Sequence, residues 1–233
     1  MTCLVAAHQP NYLPWLGYFD KMMRADVFVV LDGVQFPKTG GTWTNRTAVL
    51  LNGQATWLTV PIVRKYTGFR TILEMRIDES RSWRAKHSKS LQSSYGRAPA
   101  FEEVWSILSP LMQDPTSNLA EYNLSLIRAV AANLGISMSK IVKGSEIRAQ
   151  GSATEMLIST VREVGGDAYL SGGGASGYQK DAKFDESGVA LREQAFVEPV
   201  RDQHGSEHFV AGLSVIDSLM NLGFDGTRDL LTG

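Results

Sequence analysis

The chain has 233 residues, with 23 lysines and arginines against 24 aspartates and glutamates and a formal net charge of −1. That balance excludes a global electrostatic drive toward nucleic acid or anionic membrane. A single cysteine, Cys3, excludes an internal disulfide framework and a cysteine-built zinc site. With 43% apolar residues and no apolar run near membrane-spanning length, the composition reads as globular, with no membrane insertion; without a basic, apolar leader the expected location is cytoplasmic.

Cys3 to Ala7 reads as a short buried strand that runs into a polar loop, His8 to Pro14, punctuated by two prolines. Pro14 suits a first helical turn, and Leu16, Phe19, Lys21, Met22 and Met23 continue that helix to Ala25. Asp26 to Leu31 is a second strand, apolar almost throughout, as expected when both faces of a sheet are covered. Strand, helix and strand in thirty residues make a βαβ unit with parallel pairing. Residues 34–66 are rich in Gly, Thr, Asn and Pro, with β-prone runs at Thr47–Leu51 and Thr56–Val63, and read as a hairpin-like excursion over one sheet edge. Ile72 to Ile77 reads as a further strand.

The period then changes to that of a helix. Phe101, Val104, Trp105, Leu108, Leu111 and Met112 share one stripe; Asp114-Pro115 starts a second helix carrying Leu119, Tyr122, Leu126, Ile127, Val130 and Leu134, stopped by Gly135. Ala153–Val164 is another helix, feeding a short strand at Asp167–Leu170 and the glycine run Ser171–Gly177. Leu213–Leu222 is a last helix closed by Gly223. The expected fold is α/β: a mainly parallel sheet with flanking helices, a β-rich excursion near 34–66 and a helical insertion near 80–135. With no linker or repeat, residues 1–233 read as one domain.

Chemistry concentrates in loops that follow strands, because ligands of open parallel sheets bind at the carboxyl ends of strands. His8 can act as acid, base or hydrogen-bond donor near neutral pH, with Gln9, Asn11 and Tyr12 beside it. The segment after the second strand offers Asp32, Gln35, Lys38, Trp43, Asn45 and Arg46, a set able to clamp a phosphate or stabilise an oxyanion; as a solvated loop it would do neither. Gly172-x-Gly174-x-x-Gly177 has the spacing of a dinucleotide fingerprint, but it comes late and precedes the irregular stretch Tyr178–Phe184. The reading is a turn whose backbone N–H groups face an anion or carbonyl oxygen, rather than a nicotinamide site. His204 and His208 lack a helical context and a third ligand, so no metal and no cofactor are expected. Asp217, within an apolar stripe, needs pairing or capping. Arg81, Arg84, Lys86 and Lys89 form a basic cluster around Trp83, read either as a solvated face or as a dock for an acidic partner. Cys3 reads as an inert small hydrophobe.

The run His8-Gln9-Pro10-Asn11-Tyr12-Leu13-Pro14-Trp15-Leu16-Gly17-Tyr18-Phe19-Asp20-Lys21 resembles the opening signature of the WbqC-like proteins of bacteria. The resemblance continues through Leu31 to Lys38, Trp43-x-Asn45-Arg46, Trp57 to Pro61, Tyr95 to Phe101, Tyr169 to Tyr178 and Leu213 to Asp217, in order along the chain. Two departures stand out: Gly33 in place of a second acidic residue, and Val200-Arg201-Asp202-Gln203 in place of a more aromatic segment. The resemblance implies surface-polysaccharide or natural-product gene sets, the named member of the family being regarded as a glycine transferase that decorates an O-antigen amino sugar.

These readings lead to an acyl or aminoacyl transferase acting on the amine of an amino sugar or related small molecule. His8 is the expected base; Lys38, Asn45, Arg46 and Asp32 complete the catalytic set. Gln9, Asn11, Tyr12, Gln35, Trp43, Ser171, Gly172, Gly174, Ser176 and Tyr178 are expected to hold substrate. Two alternatives stand beside it: action on an acyl thioester of a carrier protein docked on the Arg81–Lys89 helix, and a non-catalytic nucleotide-sugar-binding module.

Overall fold

In the computed structural model, residues 2–37, 42–173 and 181–233 are described. In chain order the elements are β1 (Leu4–His8), α1 (Leu16–Arg24), β2 (Val27–Val30), β3 (Arg46–Leu51), β4 (Gln54–Thr59), α2 (Trp83–Tyr95), α3 (Phe101–Met112), α4 (Leu119–Asn133), β5 (Ile141–Lys143), α5 (Thr154–Glu163), β6 (Ala168–Ser171), α6 (Asp181–Ser187), β7 (Ala190–Glu193) and α7 (Val215–Thr232).

The chain forms two compact units: residues 1–9, 17–33 and 136–197 in the first, 10–16, 34–135 and 198–233 in the second. Each is assembled from three separated stretches, which is why no linker-like composition marks a boundary.

The first unit is a five-stranded sheet in the order β5-β2-β1-β6-β7, and every pairing is parallel. The alternation of side chains sends Val5, Ala7, Val29 and Tyr169 to one face, where Leu157, Ile158 and Val161 of α5 and Phe184 of α6 close a dry cluster. On the other face the Tyr18 ring of α1 lies 5.2 Å from that of Phe28. Helices therefore cover both faces, and the expected α/β fold with a parallel sheet and flanking helices is what forms. From β1 the chain steps outward to β2 and then β5, and returns across β1 to lay down β6 and β7. The reversal falls between β1 and β6.

The second unit holds the antiparallel pair β3–β4, joined by Asn52 and Gly53 at φ of 52° and 73°. Two successive left-handed residues give the tight hairpin turn that Asn-Gly favours. Helices α2, α3 and α4 form the helical insertion, and α7 packs with α3, where the Ala100 amide donates to the Met220 carbonyl at 3.0 Å.

Four readings are corrected. Ile72 to Ile77 is not a strand: Ile72–Glu74 is one 3-10 turn, because the Glu74 carboxylate accepts from both the amide (2.8 Å) and the hydroxyl (3.0 Å) of Thr71. Asp114-Pro115 does not start α4; Asp114 accepts from the Thr116 amide at 2.8 Å in a turn, and Asn118 caps the helix by accepting from the Glu121 amide at 3.0 Å. Gly223 (φ 70°, ψ −177°) breaks α7 without ending the chain's helical course, which resumes to Thr232. The stretch after the glycine run does carry a helix, α6, short in itself and anchored by Phe184, whose ring stacks on Tyr169 at 5.5 Å.

Candidate functional site

In a doubly wound sheet the two βα loops on either side of the order reversal run in opposite directions and leave a crevice at the carboxyl ends of the strands. Here those ends are His8 on β1 and Ser171-Gly172 on β6, with Leu4, Val5 and Ala6 in register with Ala168, Tyr169 and Leu170.

The His8 imidazole stands edge-on to the Tyr18 ring, 5.0 Å between centroids, with Nδ1 3.2 Å from the Gln9 carbonyl oxygen. Only Nδ1–H can donate to a carbonyl, which leaves the basic lone pair on Nε2. Burial first, and the charge of Lys21 second, push its pKa down to about 3 against the pull of the Gln9 carbonyl. The ring is therefore neutral throughout the working range.

Lys21, on α1, is 4% exposed and donates from Nζ to the Ala7 carbonyl at 3.1 Å. Its ammonium lies 5.5 Å from the centre of the Tyr169 ring, and burial lowers its pKa to about 8. Beside it, a Cβ added at Gly172 would sit 3.4 Å from Gln194 Oε1 and 3.8 Å from Lys21 Nζ, so a glycine here leaves the lysine uncovered from that side. The Gln194 amide donates at 2.7 Å both to the Gly17 carbonyl and to Asp20, whose other oxygen accepts from Arg24 Nε at 2.9 Å.

Asp32, at the end of β2, is fully engaged: its two oxygens accept the Ser145 amide (2.8 Å) and hydroxyl (2.7 Å). Gly144 permits that closeness, since a Cβ would lie 3.0 Å from the Val30 carbonyl. Asp32 thus fastens β2 to the turn after β5. Gly33 is exposed, and nothing would obstruct a side chain there. Burial and the charges of Asp26 and Asp167 push the Cys3 thiol up, as expected for an unreactive thiol.

Of the expected site residues, His8, Gln9, Asp32, Ser171 and Gly172 belong to the first unit, and Asn11, Tyr12, Gln35, Trp43, Asn45 and Arg46 to the second. Lys38, Gly174, Ser176 and Tyr178 lie outside the described residues. In the second unit the loop and the segment after Thr42 do meet: the Tyr12 amide donates to the Trp43 carbonyl at 3.0 Å, and the Asn123 amide ties Pro10 (2.8 Å) to Thr44 (2.6 Å). Tyr12 is wholly buried, its hydroxyl 3.0 Å from His87 Nδ1 and its ring stacked on Tyr122, so it acts as a packing residue. Asn11 and Asn45 are buried too, Asn45 donating to the Val60 carbonyl at 3.0 Å. Gln35 is exposed and bridges to Thr71.

Arg46 lays its guanidinium 4.2 Å over the Trp57 ring, and Trp57 in turn meets Trp43 at 5.0 Å. Trp57 opens onto a groove of about 490 Å³ lined further by Thr59, Pro61, Arg81, Trp83, Lys86 and His87. Within the basic cluster Arg81, Lys86 and Lys89 are exposed. Arg84 is not available: it donates to the Thr116 carbonyl at 3.0 Å, pairs with Glu79 and sits over the rings of Trp83 and Tyr122. Asp217, fully buried, accepts from Arg201 (3.0 Å), Gln203 (2.7 Å) and Tyr95 (3.3 Å), so the departing segment 200–203 supplies two of these three partners.

Lys21 and Gln194 are the residues that sequence reasoning passed over. The available signal was position: Lys21 follows Tyr18 by three residues and precedes Ala25 by four, which puts a charge on the buried stripe of α1.

The sheet order and the covered faces define a doubly wound α/β protein. The chain belongs to the WbqC-like protein family, which it matches over residues 9–229. The uncharacterized protein Rv1507c of Mycobacterium tuberculosis (strain ATCC 25618 / H37Rv) is similar to it, with 30% identity over 222 residues and 94% of each chain covered. No solved structure matches. No helix among the described residues is long and apolar enough to cross a membrane.

Proposed function

We propose that this protein is an acyl or aminoacyl transferase that acylates the amine of an amino sugar or a related small molecule, in surface-polysaccharide or natural-product biosynthesis. The observation that carries the reading is a neutral imidazole, His8, at the carboxyl end of β1 beside the order reversal of the sheet. The acceptor nitrogen attacks the carbonyl carbon of an activated acyl donor; the new N–C bond forms as the bond from that carbon to the leaving group breaks. The amine gives up one proton, which His8 Nε2 accepts and passes to the departing group. Burial, more than Lys21, makes the imidazole a weak base, and negative charge arriving with substrate favours its protonated form and strengthens it. Mass spectrometry after incubation with amino-sugar nucleotides and glycyl donors tests the proposal: an acylated product supports it, and unchanged amines across glycyl esters, thioesters and phosphates contradict it.

The carrier-thioester alternative is favoured by one observation, the exposed Arg81 and Lys86 along the groove that Trp57 flanks. If it holds, charge reversal at Arg81 and Lys86 abolishes action on a carrier-bound thioester and spares a small one.

A further inference from the structure

We propose that the Lys21 ammonium is the binding point for a phosphoryl oxyanion at the crevice between β1 and β6. The side chain is 4% exposed, yet no carboxylate lies within ion-pair distance of it among the described residues. An ammonium has three N–H donors, and the Ala7 carbonyl takes one. Asp20, on the adjoining position of the same helix, is already claimed by Arg24 and by Gln194. A buried cation left in this state is costly, and either a shed proton or an incoming anion relieves it. Gly172 keeps the approach open, since any side chain there would begin 3.8 Å from Nζ. A lysine binds phosphate as a compact point charge and needs no planar fork opposite it, which suits a site with one cation and neutral surroundings.

The groups near the ammonium are His8 at the end of β1, the Tyr169 ring on β6 and, across Gly172, Gln194 after β7; Asp20, its neighbour in sequence on α1, pairs with Arg24. None of them supplies a free negative charge: His8 is neutral and Asp20 is held by Arg24. Burial already holds Lys21 at about 8, so an oxyanion bound above that pH draws a proton onto the amine. The inference rests on the transferase reading only for the source of the phosphoryl group, a nucleoside diphosphate on the acceptor or an acyl phosphate as donor.

The test is calorimetry at pH 9 with inorganic pyrophosphate, uridine diphosphate and acetyl phosphate, in two buffers of different ionisation enthalpy, on the wild type and on Lys21→Met. The wild type should bind with uptake approaching one proton, and Lys21→Met should bind about tenfold or more weakly with no uptake. Tighter uridine diphosphate assigns the site to the acceptor, tighter acetyl phosphate to the donor, and both outcomes support it. Equal affinity in the variant, binding without proton uptake by the wild type, or no binding of any of the three overturns it. Proton uptake by the wild type needs no variant, so a Lys21→Met chain that failed to fold would not shield the proposal. Acyl transfer by Lys21→Met with unchanged KM removes this inference alone. Lysine-dependent binding without any acylated product removes the transferase reading alone.

Discussion

Among the buried charged side chains of the described residues, Asp217 in the second unit and Lys21 in the first have opposite surroundings. Asp217 in the second unit is 0% exposed and receives a guanidinium, an amide and a phenol. Lys21 in the first is 4% exposed and has a single backbone carbonyl. Burial pushes the Asp217 carboxyl up, while Gln203, Arg201 and Tyr95 pull it back; among the described residues nothing comparable supports the Lys21 charge. A charge with its partners supplied internally is a structural device; the proposal for Lys21 is that a ligand supplies what the described fold does not.

The contrast can be broken in order of expected effect. Asp217→Ala leaves the nearly buried Arg201 guanidinium with Glu198 as its one carboxylate and takes the acceptor from Gln203 and Tyr95, and it should cost about 3–5 kcal/mol, a fall in Tm on the order of 10 °C by calorimetry. Replacing both members, Asp217→Leu with Arg201→Met, should recover only part of that loss, because the apolar pair needs no desolvation but leaves Glu198, Gln203 and Tyr95 without the partner each had. Lys21→Met, by contrast, should leave Tm equal or higher, as the removal of an unpaired buried charge requires. A drop comparable to that of Asp217→Ala would erase the distinction.

The smallest effect is the pH dependence. Lys21 titrates near 8 when folded and at 10.5 when free, so between these values the unfolded chain binds more protons and stability rises with pH. The buried Tyr18 and Tyr95 phenols, pushed up by burial, act in the opposite sense once free tyrosine ionises near 10. Urea titrations between about pH 8 and 9.5 should therefore show a rise in wild-type stability that Lys21→Met lacks; parallel curves would mean that Lys21 is not desolvated.

Much of the fold was legible because local and tertiary demands agree. The apolar runs around Val5 and Val29 could only be covered strands, and Gly135, at φ 79°, ends α4 as a glycine past the last turn should. Legibility failed where tertiary contacts decide. The β-prone run Ile72–Ile77 lost to a capping box that was itself visible as Thr71-x-x-Glu74. The sheet order depends on Leu4 meeting Ala168, a pairing across most of the chain that no local period announces. At the candidate site, His8 was found because a histidine in a proline-bound loop breaks the pattern around it. Lys21 was missed because a lysine near a helix C-terminus fits the bland expectation, and only the stripe it shares with Tyr18 and Ala25 marks it.

The central claim, that chemistry occurs at the carboxyl ends of β1 and β6, is tested most directly by the rate of amine acylation with His8→Ala beside the wild type, each with its Tm measured. The account predicts a folded variant whose rate falls by about 10²–10⁴, the worth of a positioned proton acceptor. A folded His8→Ala protein that acylates at the wild-type rate would contradict it.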